Sequence, residues 1–113
     1  MSASYCPKRG DIVWLIFNPQ AEHEQAGHRP ALVLSPEAYN SKVGLALFCP
    51  MTSQVKGYPF EVQLPEGHLV SGVVLADQAK SLDLKARRAN FCCELPKETV
   101  QEVLDKFGTL IDE

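Results

Sequence analysis

The chain lacks the features that would place it in a bilayer, on a structural metal or along a polyanion. No apolar run approaches the ~20 residues a membrane-spanning helix needs. The opening residues Met1-Ser2-Ala3-Ser4-Tyr5-Cys6 carry no basic stretch leading into an apolar core. They do not read as a secretory signal, so the expected location is the cytoplasm. Basic residues are outnumbered, 11 Lys and Arg against 14 Asp and Glu, for a formal net charge of -3. That balance excludes broad, charge-driven coating of nucleic acid. It leaves room for a small positive groove, because fields focus locally. Cysteine is sparse, and its spacing is wrong for zinc: Cys6, Cys49, Cys92 and Cys93 form no C-x-x-C pair, and His23, His28 and His68 stand at no ligand spacing. Cys92 and Cys93, if on a strand, point to opposite faces and do not share a ligand. Reduced, mostly buried thiols are expected, with no metal site. Walker loops, dinucleotide fingerprints, G-x-S-x-G elbows and H-E-x-x-H helices are all missing.

What remains is one ordinary globular domain spanning 1–113, with 45% hydrophobic and 22% charged residues. Gly10-Asp11 opens an apolar run from Ile12 to Phe17, two-faced around Trp14, which predicts a strand that is central or covered on its outer side. Asn18-Pro19 stops it, and a polar loop follows to His28. Further strands are predicted at Ala31–Leu34, Gly44–Cys49, Phe60–Leu64, Gly72–Ala76, Ser81–Leu84 and Ala89–Cys93, with a single helical turn over Pro36–Asn40 capped by Ser35. Phe60, Val62 and Leu64 alternate with Glu61 and Gln63, the clearest half-buried pattern in the chain. From Pro96 the period changes. Val100, Val103, Leu104, Phe107, Leu110 and Ile111 follow helical spacing and predict one amphipathic helix laid on the sheet. The sum is a mainly β, small, partly open barrel with short helices and a C-terminal helix.

The stretch that organises the rest is Glu24-Gln25-Ala26-Gly27-His28-Arg29-Pro30-Ala31-Leu32-Val33-Leu34-Ser35. A polar loop ends in an Arg-Pro pair and passes directly into an apolar strand. Pro30 pushes Arg29 out of the α region and into extended geometry. A loop that delivers Glu, His and Arg to the mouth of a rigid strand is a place for chemistry. The candidate residues are polar groups at strand ends: Glu24, His28, Arg29, Thr52, Gln54, Asp77, Gln78 and Lys80.

This stretch resembles the signature loop and strand of the MazF/PemK-type toxins of bacterial toxin–antitoxin pairs. Four further segments resemble the same family in order: Gly10-Asp11-Ile12-Val13-Trp14, Pro50-Met51-Thr52-Ser53, Lys56-Gly57-Tyr58-Pro59-Phe60-Glu61-Val62 and Leu75-Ala76-Asp77-Gln78-Ala79-Lys80-Ser81. The resemblance is nearest to the MazF branch. It covers residues 5 to 90 closely and the C-terminal helix in pattern only. It implies an SH3-like barrel that pairs into a homodimer. It also implies a ribosome-independent endoribonuclease that cuts single-stranded RNA at short sequences without metal or cofactor. The products implied carry a 2′,3′-cyclic phosphate and a 5′-hydroxyl. The implied partner is a cognate, MazE-like antitoxin whose disordered acidic C-terminal tail covers the RNA groove.

In that chemistry the substrate's own 2′-hydroxyl attacks phosphorus. The protein must remove the 2′ proton, protonate the leaving oxygen and stabilise a phosphorane. Arg29 suits the last task, because guanidinium offers a planar fork of donors, and the resemblance gives it proton transfer as well. Thr52 matches the family's motif threonine, and Glu24 its acidic loop residue. Asp77 matches the acidic residue proposed as base in PemK-like relatives and competes with Glu24. His28 ranks below Glu24 and Arg29. Asn40, Gln54, Lys56, Gln78 and Lys80 are candidate base and phosphate contacts. Two other readings stand beside this one: a DNA gyrase poison built on a similar barrel, and an SH3-like binding module without activity.

Overall fold

The computed structural model describes residues 5–16, 28–67 and 69–112. Their elements run β1 (Asp11–Ile16), β2 (His28–Val33), α1 (Glu37–Val43), β3 (Leu45–Thr52), β4 (Glu61–Gln63), β5 (Val73–Leu75), β6 (Lys80–Asp83), β7 (Asn90–Glu94) and α2 (Lys97–Gly108). The strands form one seven-stranded sheet in the order β4-β5-β3-β2-β1-β7, with β6 paired to β3. Every recorded pairing is antiparallel. β3 is the hub. Its first half pairs with β6 from Leu45↔Asp83 to Phe48↔Lys80, its middle with β2, and its end with β5 through Met51↔Val74 and Thr52↔Val73. The sheet does not close, so the mainly β, partly open architecture expected from the sequence is the one found.

The sheet is apolar on both faces, which explains why β1 reads as two-faced. Alternation sends Ile12 to one side and Val13 and Leu15 to the other. On the first side Ile12, Leu32, Leu34, Cys49, Met51, Val62 and Val74 meet Val100 and Val103 of α2. On the second, Val13, Leu15, Ala31, Val33, Ala46 and Phe48 form a separate cluster flanked by Leu82, Leu84 and Ala89. α2 starts after Pro96, whose fixed φ suits a helix start. Glu98 in its first turn and Lys106 in its last complement the helix dipole. Lys106 also donates to the carbonyls of Pro59 and Glu61, tying the helix to the start of β4.

Several boundaries differ from the sequence reading. β2 begins at His28 rather than Ala31, so Arg29 belongs to the strand. α1 extends over two turns, and Pro36 occupies its N-cap without a side-chain bond. The Ser35 hydroxyl instead donates to Asn40 Oδ1 at 2.6 Å. α2 stops at Gly108, leaving Leu110 and Ile111 51% and 71% exposed although they fit the helical period. Cys92 and Cys93 do not point apart. The β1–β7 register shifts between Ile12 and Val13, so Cys92 is the extra residue of a bulge and its thiol lies 3.6 Å from that of Cys93.

Near the chain start, Asp11 is almost fully buried and its charge is compensated by hydrogen bonds. Tyr5 Oη donates to Oδ2 at 2.5 Å, the Lys8 amide donates at 3.1 Å, and Lys8 Nζ lies 3.0 Å from Oδ1 while also pairing with Glu94. Burial and the bond to Asp11 push the Tyr5 phenol far above its ordinary value. Hydrogen bonds to Glu94 and Asp11 raise the Lys8 ammonium. Burial raises the Cys49 thiol to about 12 and the Cys93 thiol to about 11. In each case the folded state holds its proton more tightly than the unfolded chain does. Stability is therefore complete below the unfolded values and falls as pH rises past them, first near 9.0 for the thiols and then from 10.0 to 10.5 for Tyr5 and Lys8. Thermal melts followed by circular dichroism should show this two-stage alkaline loss, and Tyr5→Phe should remove part of the second stage while sparing the first.

Candidate active site

The β2–β3 register builds the site. Ala31 pairs with Pro50, Leu32 with Cys49 and Val33 with Phe48. The same register carried two residues further sets Arg29 opposite Thr52, and paired residues share a face. Pro30, lacking an N–H, sits where the ladder ends and the two strands part. The gap is a cleft of about 660 Å³ lined by His28, Arg29 and Pro30 on one side and Met51 to Gln54 on the other, with Val70 and Ser71 closing it. Arg29 is exposed, and among the described residues its guanidinium has no ion-pair or hydrogen-bond partner. Thr52 Oγ1 accepts the Gln54 amide at 3.1 Å. That bond uses a lone pair and leaves the hydroxyl proton free to donate into the cleft. His28 stands beside Arg29 with its ring 5.8 Å from Trp14.

A second cleft of about 600 Å³ continues from the first through Thr52 and Gln54, and is lined further by Lys56, Tyr58, Leu75 and Gln78. Glu61 lines it as well and braces its wall. Glu61 accepts the backbone amides of Lys56 and Gly57, each at 3.1 Å. Tyr58 Oη donates to Asp77 Oδ2 at 2.7 Å, which raises the phenol above its ordinary value. Asp77 Oδ1 is buried and has no partner among the described residues. The pair of clefts thus offers unpaired cations, amides and a hydroxyl along one path, suited to a chain of phosphates and polar ring edges.

The family of PemK-like, MazF-like toxins of type II toxin–antitoxin systems matches residues 8–111. The chain belongs to that family. It is 48% identical to the endoribonuclease toxin MazF of Escherichia coli K12 over 98% of this chain and 99% of that one. It is 38% identical to the endoribonuclease toxin ChpB of the same strain, over 93% and 94% of the two chains. Among solved structures, MazF from Deinococcus radiodurans superposes with a TM-score of 0.88 at 55% identity, covering 97% of this chain and all of that one. A MazE–MazF complex from the same organism aligns with a TM-score of 0.86 at 50% identity, over 96% and 98%.

Of the residues singled out in this MazF-like sequence, the structure brings Arg29, His28, Thr52 and Gln54 into one cleft and adds Lys56 and Gln78 in the next. Asp77 stands behind the second cleft through Tyr58. Lys80 lines neither cleft, its backbone pairing with Phe48 at the start of β6. Glu24 lies outside the described residues. Asn40 is a correction. It is 0% exposed, and its amide donates to the carbonyls of Pro7 and Ser35, so it ties the chain start to α1 and has no donor left for a substrate. The sequence reading passed over Tyr58, whose partner is 19 positions away, and Ser71-Gly72, whose role only packing reveals.

Gly72 is the tightest point of the site. At φ +113° a side chain is strained, and a Cβ there would lie 2.2 Å from the Thr52 carbonyl oxygen. Gly57, at φ +78°, has open space around it. Gly72→Ala should therefore cost about 2–4 kcal/mol of stability, and Gly57→Ala clearly less. Denaturant melts of the two variants give the comparison, and equal losses would mean that closeness to Thr52 is irrelevant.

Proposed function

We propose that this protein is a sequence-specific, ribosome-independent endoribonuclease toxin that cleaves single-stranded RNA and is neutralised by a cognate antitoxin. The observation that carries the reading is an Arg29 guanidinium with no partner among the described residues, lining one open cleft together with Thr52, in a chain whose full-length relatives are named endoribonuclease toxins. The solved MazE–MazF complex supports an antitoxin partner of the same kind. By the same likeness the active form is a homodimer acting in the cytoplasm. No helix among the described residues is long and apolar enough to cross a membrane.

The reaction is internal to the substrate. The 2′-hydroxyl attacks the adjacent phosphorus, the bond to the 5′ oxygen breaks, and the ends are a 2′,3′-cyclic phosphate and a 5′-hydroxyl. Arg29 stabilises the extra charge of the phosphorane and, by the family likeness, protonates the leaving oxygen. Thr52 donates its free proton to a phosphoryl oxygen. Asp77 already accepts from Tyr58 and its other oxygen is cut off from solvent, which favours an orienting role. By the family likeness the 2′ proton goes to Glu24. Gln54, Lys56 and Gln78 along the second cleft contact flanking bases and phosphates. Attack by an internal hydroxyl needs neither a metal nor an external nucleophile.

Purified protein incubated in chelator with a long single-stranded RNA should give cuts at a recurrent short sequence, with cyclic phosphate and 5′-hydroxyl ends. Arg29→Ala should lower kcat by about 10²–10³, the scale for losing one donor to a developing charge. Thr52→Val should lower it less, with folding preserved in both. Intact RNA under excess wild-type protein, or an Arg29→Ala variant as fast as wild type, would overturn the reading.

A further inference from the structure

A cavity of about 760 Å³ lies apart from the two clefts, between residues 5–7, the end of α1 and the loop from β6 to β7. Its walls are apolar, from Pro7, Val43, Leu84 and Ala89, with the ring of Tyr5 at one side. Lys85 and Arg88 stand on the loop and Asn90 at the start of β7, and all three are exposed. Among the described residues none of these three side chains has a hydrogen-bond or ion-pair partner. Asp83 also lines the cavity, but its Oδ1 accepts the backbone amides of Lys85 and Ala86, and one carboxylate against two cations leaves the rim positive.

The backbone gives a second, independent observation. Arg88 has φ +53° and is the one non-glycine residue with positive φ among those described. A glycine would make the same turn without strain. Non-glycine residues in this left-handed region are uncommon and cluster at turns and functional sites. This loop is also fixed relative to Arg29. The Ile16 amide donates to the Arg87 carbonyl, at the end of β1 where Ile16 pairs with His28 and Leu15 with Arg29. Asn90 and Pro30 both pair with Trp14 from opposite sides, which sets them about 10 Å apart, two strand spacings. Leu84 and Ala89 pack on the cluster that contains Leu15, the cross-strand partner of Arg29.

We propose that this cavity is a second docking point for the substrate strand. A nucleotide flanking the cut site places its phosphate on Lys85 and Arg88 and its base in the apolar cavity against Tyr5, with the Asn90 amide reading a base edge. The proposal rests on the RNA-cleaving reading above. An aromatic ring, a free amide and two cations around an apolar space are the chemistry of base and phosphate together. An acidic peptide would use the cations and leave the ring and amide idle.

The test compares Arg88→Gly, which relieves the backbone strain and should melt no lower than wild type, and Lys85→Gln. Each is assayed on a long single-stranded RNA and on a short oligonucleotide covering only the cut motif, over a series of salt concentrations. KM for the long RNA should rise several-fold in each variant with kcat unmoved. The dependence of log KM on log salt should flatten by about 0.7 per cation removed. The short oligonucleotide should be cut with wild-type constants. An unchanged KM and salt slope on long RNA, equal losses on both substrates, or a loss confined to antitoxin affinity would each overturn the second docking point while leaving the Arg29 cleft intact. Failure of the wild type to cut any RNA would overturn both.

Discussion

The pairing of β2 with β3 is the constraint on which the rest depends. In that short ladder Leu32 and Cys49 point into one apolar cluster, and Ala31, Val33 and Phe48 into the other. A slip of one residue would exchange the two sets and bury Arg29 or turn it to the wrong face. Because both faces are dry, neither exchange is tolerated, and the register is fixed by packing rather than by a turn. The site inherits that precision. Arg29 and Thr52 sit just past the last pair, where Pro30 withholds the hydrogen bond that would have zipped the strands shut. The cleft opens where the ladder ends.

Around this point, supporting groups hold the backbone and leave the working side chains free. Glu61 pins the amides of Lys56 and Gly57, Lys106 caps the carbonyls of Pro59 and Glu61 from α2, and Gly72 lies against Thr52 with no room for a side chain. The cations without a partner among the described residues, Arg29, Lys56, Lys85 and Arg88 among them, line separate concave sites on a protein of net charge -3. That distribution suits a protein that must bind a polyanion locally without adhering to every nucleic acid it meets.

The architecture was legible because alternation and period are local. Phe60 to Leu64 announced a half-buried strand, the apolar spacing after Pro96 announced a helix, and the Arg-Pro junction placed Arg29 in extended chain at a strand mouth. What stayed hidden was tertiary. Asn40 looks like any polar residue beside a short helix, and only the approach of the Pro7 carbonyl makes it a buried strut. Cys92 and Cys93 diverge on a regular strand, and only the bulge against Ile12 and Val13 brings their thiols together. Leu110 and Ile111 keep the helical period past Gly108, where packing has run out. Tyr58 passed unnoticed because its partner, Asp77, comes from the far side of β5.

One substitution in the substrate tests the proposed chemistry most directly. A single ribose 5′ of a mapped cut site is replaced by 2′-deoxyribose, and the RNA is incubated with the wild-type protein. Cleavage should vanish at that linkage and continue at every unmodified site, since the missing hydroxyl is the nucleophile. Undiminished cutting at the deoxy linkage would contradict the mechanism and the roles assigned to Arg29 and Thr52.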